Sequence, residues 1–292
     1  MNISPESLVE KLLAAGFEIE TWIVLGVGQN SIAILANDEW VFRVPLHSSA
    51  ADSLAAEVEV LRAVQGRLPV LTPDPEIVVE VPGVEWHVMT YRAIAGQPLE
   101  REQIDSLDTV SLNRLGRDLG RFMNTLHGTP ASQFNRSVVR DYDNQEQWER
   151  LRNDARQYLK PRVVSSIWNR LNRKLGKSIE KISRFEFEPV LRHGDFGFGN
   201  FLFDRQSHLT GVIDFGSAGF GDPAVDVAGL IASIGPGELL IDKVRPTYPD
   251  VDGMLDRARI YRETFALQHA LLGAKGDDEI AIKEGLDSYL GE

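Results

Sequence analysis

The apolar period of the chain changes once, near residue 95, and that change limits the folds open to it more than any other feature. Before it, TWIVLGVGQNSIAILANDEWVFRVP reads as a strand, a glycine turn, a second strand, an Asn37-Asp38 turn and a third strand. IVVEVPGVEWHVMTYRAIAG adds two strands around Pro82-Gly83 and runs into a connector. Ser4-Pro5 starts a short helix carrying Leu8, Val9, Leu12 and Leu13 that stops near Gly16. Leu54, Val58 and Leu61 sit at helical spacing before a break from Pro69 to Pro75. Beyond the connector, Leu112, Leu115, Leu119, Phe122 and Leu126 recur three or four apart, and Gly128 supplies the stop. Residues 132–185 are polar, with Trp148, Leu151, Tyr158, Ile167 and Leu171 scattered through expected helices. PVLRHGDFGFGNFLFD and LTGVIDFG are extended again, as one small hairpin, and from about residue 225 the pattern is helical. The expected class is α+β with two lobes. Residues 1–95 form a β-rich lobe with one main helix, residues 97–292 a mostly helical one, and a ligand cleft lies between them.

Charge and cysteine usage narrow the function. There are 31 Lys and Arg against 43 Asp and Glu, a net charge of -12. A sequence-independent grip on nucleic acid or an anionic membrane is therefore not expected, and a cationic partner suits the chain better. The absence of cysteine removes disulfides, thiolate zinc sites and cysteine nucleophiles, and makes a reducing cytoplasm the natural compartment. The first twenty residues lack a basic stretch followed by an apolar one, and no run approaches 18 apolar residues, so neither an export signal nor a membrane span is expected.

The densest chemistry lies in LRHGDFGFGN, Leu191 to Asn200, which could be a metal site, a glycine loop for nucleotide, or a tight turn with polar residues. Asp195 and Asn200 precede the first strand of the hairpin, and Asp214 ends its second, so the hairpin brings its outer ends together. One amide oxygen and one carboxylate, from Asn200 and Asp214, suit a hard cation such as magnesium that keeps waters and shares substrate phosphates. Asp195 is then a free carboxylate beside the metal, able to accept the proton of an attacking hydroxyl or to orient it. His193 reads as a brace for the loop rather than a ligand or base. Asp226 reads as structural, and Asp222 stays open between a turn residue and a substrate contact.

HGDFGFGN followed by IDFG resembles the catalytic loop and metal-binding motif of the protein-kinase-like fold, in the form used by the aminoglycoside phosphotransferase family. The resemblance runs in order from about residue 20 to 230, and the stretch from VFRVP to IDFGSAGFGDPAVD looks closest to the aminoglycoside 2''-phosphotransferases. It implies Asp195 as the catalytic carboxylate and Asn200 and Asp214 as ligands of Mg2+. It also implies ATP or GTP as co-substrate, with nucleotide contacts at Arg43, Glu57, Gly28, Met89, Tyr91, Ile94 and Ile213. MTYRAI, within a hinge at about residues 89–96, would carry the base, and residues 132–185 would form a helical substrate subdomain. Gly26 and Gly28 equally suit a plain hairpin, since GVGQN is not a full glycine-rich phosphate motif. Arg43 stands where protein kinases use lysine, which exchanges a point charge for a planar fork. Gly197 stands where protein kinases have a lysine, and no Ala-Pro-Glu closes an activation segment. Both departures imply a small-molecule acceptor. A cationic, hydroxylated, aminoglycoside-type molecule is the first choice; a macrolide, choline or homoserine-like acceptor, or a nucleotide-binding pseudokinase, are the alternatives.

Overall fold

The computed structural model describes residues 3–28, 30–232 and 237–291. The N-terminal lobe is an antiparallel sheet of β1 (Trp22–Val27), β2 (Ser31–Ala36), β3 (Trp40–Pro45), β4 (Ile77–Val79) and β5 (Val88–Arg92), in the order β1-β2-β3-β5-β4. Asn37 and Asp38 both take positive φ, 54° and 52°, which gives the β2–β3 turn the twist that flanking strands need. Asn37 also fixes the sheet's start, because its side chain accepts from the backbone N–H groups of Glu20 and Thr21. Alternation then assigns two faces. Ile32, Ile34, Phe42 and Val44 bury against Leu8, Val9 and Leu12 of helix α1 (Pro5–Ala14), which Ser4 caps and Pro5 opens. Val41, Arg43, Met89 and Tyr91 occupy the opposite face, beside helix α2 (Ser48–Val64) and its apolar stripe of Leu54, Val58 and Leu61.

After the short helix α3 (Arg101–Asp105), the C-terminal lobe is built around α4 (Thr109–His127). Its Leu115, Leu119, Phe122 and Leu126 are buried, as their spacing requires. Helices α5 (Gln145–Asp154) and α6 (Ser165–Ile182) follow, joined by a π-helical turn at Ala155–Leu159. Among the described residues, the lobe continues with α7 (Ala224–Ile231), α8 (Glu238–Val244), α9 (Leu255–Gly276) and α10 (Glu279–Leu290). A second core, with Leu159, Leu171, Leu175, Leu267 and Leu286, joins α6, α9 and α10. Among the described residues no helix is long and apolar enough to cross a membrane.

The C-terminal lobe holds two strand pairs where the sequence pattern gives one. Beside the hairpin of β7 (Phe201–Phe203) and β8 (Leu209–Val212), β6 (Val190–Arg192) pairs with β9 (Gly219–Gly221). A Gly-Phe-Gly strand of three residues has neither length nor alternation, so pairing rather than propensity makes it a strand. The segment after α2 crosses to the other lobe: Leu71 N–H donates to the Thr210 carbonyl at 3.1 Å, and Val212 N–H donates to the Leu71 carbonyl at 2.9 Å. Gln97 and Phe203 exchange both backbone hydrogen bonds on the far side of the hairpin. The hairpin that presents Asn200 and Asp214 is therefore flanked on both sides by chain from outside it.

Candidate active site

The loop from His193 to Asn200 is fixed from beneath. Phe196, Phe198 and Phe201 are buried, and Phe196 stacks on Phe122 of α4 with ring centroids 5.2 Å apart. Asp226, at the start of α7 and wholly buried, accepts from the backbone N–H groups of His193 and Gly194, both at 2.8 Å. Burial would raise its pKa, but the His127 ring at 3.0 Å and the two amides outweigh it, so Asp226 stays below the usual carboxylate range. His127 reaches on to the Tyr248 hydroxyl at 2.6 Å.

His193 is fully buried, and burial lowers its pKa below 6.5. Its neutral ring uses both nitrogens: Nε2–H donates to the Ile213 carbonyl at 3.1 Å, and Nδ1 accepts from Asp195 N–H at 3.3 Å. The histidine thus ties the Asp195 strand end to the chain that enters Asp214. Gly194 has φ 85°, and a β-carbon there would lie 2.0 Å from Arg192 Nη1, so only glycine suits the position.

On this base, Asp195 is exposed at the end of the loop. Asn200 Nδ2 donates to both the backbone carbonyl of Asp195, at 2.8 Å, and its Oδ2, at 2.9 Å. That commits the nitrogen and leaves Asn200 Oδ1 as the amide's acceptor for a cation. Asp214 takes left-handed backbone angles, φ 63° and ψ 69°, and its Oδ1 lies 3.2 Å from Arg43 Nη2. One carboxylate and one amide oxygen fit a magnesium ion that keeps waters and shares phosphate oxygens. Among the described residues no group of three or more His, Cys, Asp or Glu could by itself hold a metal ion.

Arg43 bridges the two lobes. Nη1 donates to Glu57 Oε1 at 2.5 Å while Nη2 reaches Asp214. Burial works against the guanidinium charge, but Glu57 and Asp214 raise its pKa, so it stays charged. Burial pushes the Glu57 carboxyl up to about 7 despite Arg43 beside it. A cleft of about 480 Å3 collects Gly28, Arg43, Glu57, Tyr91, Asp195, Asn200, Ile213 and Asp214. Two expected nucleotide contacts are not on its wall. Met89 lies wholly buried within β5, and the Ile94 side chain packs against Gly211 on the hairpin. Asp222 is buried, accepting from Arg257 Nε at 2.8 Å and, within its own turn, from Ala224 N–H.

A second cavity, of about 400 Å3, opens on the other side of the loop between α5 and α9. It meets the first where Ser217 lines both and Gly194 stands next to Asp195. Sequence reasoning missed its anchor. Arg192 Nε donates to Asp143 Oδ2 at 2.6 Å and its Nη1 to the Ser217 carbonyl at 3.1 Å, with Asp143 raised by burial against the pull of Arg192. An arginine at the end of the apolar strand VLR signals a buried partner, but nothing in the polar stretch 132–185 marks which carboxylate supplies it.

This architecture has known counterparts. A model of the phosphotransferase enzyme family matches residues 11–260. The viomycin phosphotransferase of Streptomyces vinaceus is 29% identical over 247 residues, covering 82% of this chain and 83% of that one. The GDP complex of wild-type aminoglycoside 2'-phosphotransferase-IIIa superposes with a TM-score of 0.84 at 25% identity, over 98% of this chain and 97% of that one. A GDP and kanamycin complex of the 2''-phosphotransferase-IIIa gives the same score and identity, over 96% of each chain. The fold is the two-lobed α+β, protein-kinase-like one.

Proposed function

The chain belongs to the phosphotransferase enzyme family, and on that premise we propose that it transfers the γ-phosphoryl group of ATP or GTP to a hydroxyl of a small cationic, aminoglycoside-type molecule. The observation that carries this reading is the position of Asp195, exposed and held by Asn200 where the interlobe cleft meets the second cavity. The nucleotide occupies the cleft and the acceptor the cavity. The acceptor hydroxyl then attacks phosphorus in line: its oxygen forms the new bond, the bond to the β-phosphate oxygen breaks, and its proton goes to the Asp195 carboxylate.

Arg43, rigidly oriented by Glu57, pairs with the α- and β-phosphates in exchange for its contact with Asp214. Asn200 Oδ1 and Asp214 would hold Mg2+, which neutralises charge building on the phosphate oxygens. Gly28, Tyr91 and Ile213 contact the nucleotide from the cleft wall; Met89 and Ile94 support the hinge from behind it. The lobes divide near residue 95, and residues 132–185 contribute the acceptor side. Such a reaction suits the cytoplasm, where nucleoside triphosphates are abundant.

The acceptor class is supported by the kanamycin bound in the structural neighbour and the viomycin named in the sequence relative. The second of these makes viomycin an alternative acceptor. A coupled assay of nucleotide turnover, with ATP and GTP and with kanamycin, viomycin, a macrolide, choline and homoserine, separates the readings. Stimulation by kanamycin and loss on chelation of magnesium are expected. Stimulation by choline alone, or by nothing, overturns the assignment.

A further inference from the structure

We propose that the Asp154 carboxylate is a binding point for an ammonium group of the acceptor, and that Lys275 occupies it until the acceptor displaces it. The inference rests on the reading of the second cavity as the acceptor's. Among the described residues, four formally charged side chains line that cavity: Asp143, Asp154, Arg192 and Lys275. Although the chain carries a net charge of -12, its acceptor cavity is thus electrically balanced. A cationic acceptor gains a carboxylate there only by breaking a pair that already exists.

The two pairs differ in how firmly they are held. Arg192 and Asp143 have side-chain exposures of 5% and 12%, share two hydrogen bonds, and are each bonded to further backbone groups at Ser217 and Asp222. Opening that pair would strand buried charge. Lys275 and Asp154 share a single contact of 2.7 Å at side-chain exposures of 40% and 29%. An exposed pair of this kind adds little stability, because water and side-chain freedom compensate for its loss. Lys275 also has somewhere to go, since its Nζ already lies 5.2 Å from the Tyr158 ring and can stay against that face.

The chemistry of exchange is even. An acceptor ammonium has the same three donors and the same charge as the Lys275 head, so it restores at Asp154 what it removes. Trp148 and Leu151 on α5 and Leu272 on α9 line the same cavity and offer an apolar wall for the ring faces of the acceptor. Asp154 on α5 and Lys275 on α9 therefore act as a specificity element: the pair admits molecules that carry an amine able to replace the lysine.

The test is a double-mutant cycle read by calorimetric titration of kanamycin into the full-length protein, at low and moderate salt. Lys275→Met keeps the aliphatic stem and frees the carboxylate; kanamycin affinity should rise about three- to five-fold, the scale of one exposed ion pair. Asp154→Asn should lower it, and in the Asp154→Asn background the gain from Lys275→Met should vanish at moderate salt, where plain repulsion between the lysine and the ligand is screened. Both positions are partly exposed, and unchanged melting temperatures show that the variants are folded. Weaker or unchanged binding in Lys275→Met, a gain that persists without Asp154 at moderate salt, or no kanamycin binding by any of the four proteins overturns the inference. Kanamycin bound in this pattern but never phosphorylated sinks the functional reading alone; phosphorylation with a KM flat across the four proteins sinks this one alone.

Discussion

Asp195 carries almost no structural duty, which makes it a clean residue to test. Its carboxylate accepts from Asn200, while the loop around it is held by the Asp226 carboxylate and the His193 ring. Asp195→Asn should keep the shape and the nucleotide site but remove the proton acceptor, lowering kcat by about 10²- to 10⁴-fold. Nucleotide affinity, measured by titration without acceptor, should change by less than about twofold. A kcat within threefold of the parent would assign the carboxylate some other work. At this scale much was legible in the sequence. Asp195, Asn200 and Asp214 could be related because a short hairpin joins them, and local turns are written in local sequence. The ion pair of Arg192 with Asp143 spans 49 positions and His127 with Asp226 spans 99, and no local pattern encodes such distances.

Elements explain why the hairpin is held so firmly. Its two strands have only three and four residues, too few to be stable alone, so flanking chain must complete them. Leu71 supplies one side through a donor to Thr210 and an acceptor for Val212, and Gln97 supplies the other. Replacing Leu71 with proline removes the donor while leaving the Leu71 carbonyl in place. The exposed side chain of Leu71 contributes little burial, so the loss should come from the backbone, at about 1–3 kcal/mol with the Thr210 carbonyl left unpaired. The expected result is a lower melting temperature together with a raised KM for nucleotide, because Asp214 follows Val212 by two residues. A lowered melting temperature with unaltered KM would mean that the tether stabilises the fold without aligning the metal aspartate. The breaker run from Pro69 to Pro75 announced only that helix α2 ends. That this stretch pairs with the far lobe was invisible, because parallel pairing of two remote segments leaves no periodic mark in either.

Across the whole molecule, the buried titratable groups of the site oppose one another in their response to pH. His193 has its pKa lowered from 6.5 by burial, so below that value the unfolded chain binds a proton that the folded chain refuses, and acidification destabilises the fold. Glu57 has the opposite sign. Burial raises it from 4.5 to about 7, so as pH falls through 7 the folded state takes up a proton before the unfolded state does, and acidification stabilises the fold. Each unbalanced proton changes stability by about 1.4 kcal/mol per pH unit. Below pH 6.5 the two effects have opposite signs, so the parent protein should show a shallower profile than either group alone would give. Glu57→Gln keeps an acceptor for Arg43 Nη1 but cannot be protonated, which removes the stabilising half. Its melting temperature should therefore fall more steeply than the parent's on acidification, with the curves diverging from about pH 7 downward. Parallel curves would mean that Arg43, 2.5 Å away, keeps Glu57 ionised throughout. The Arg43–Glu57 contact within the N-terminal lobe would then be a full ion pair at every pH at which the enzyme folds.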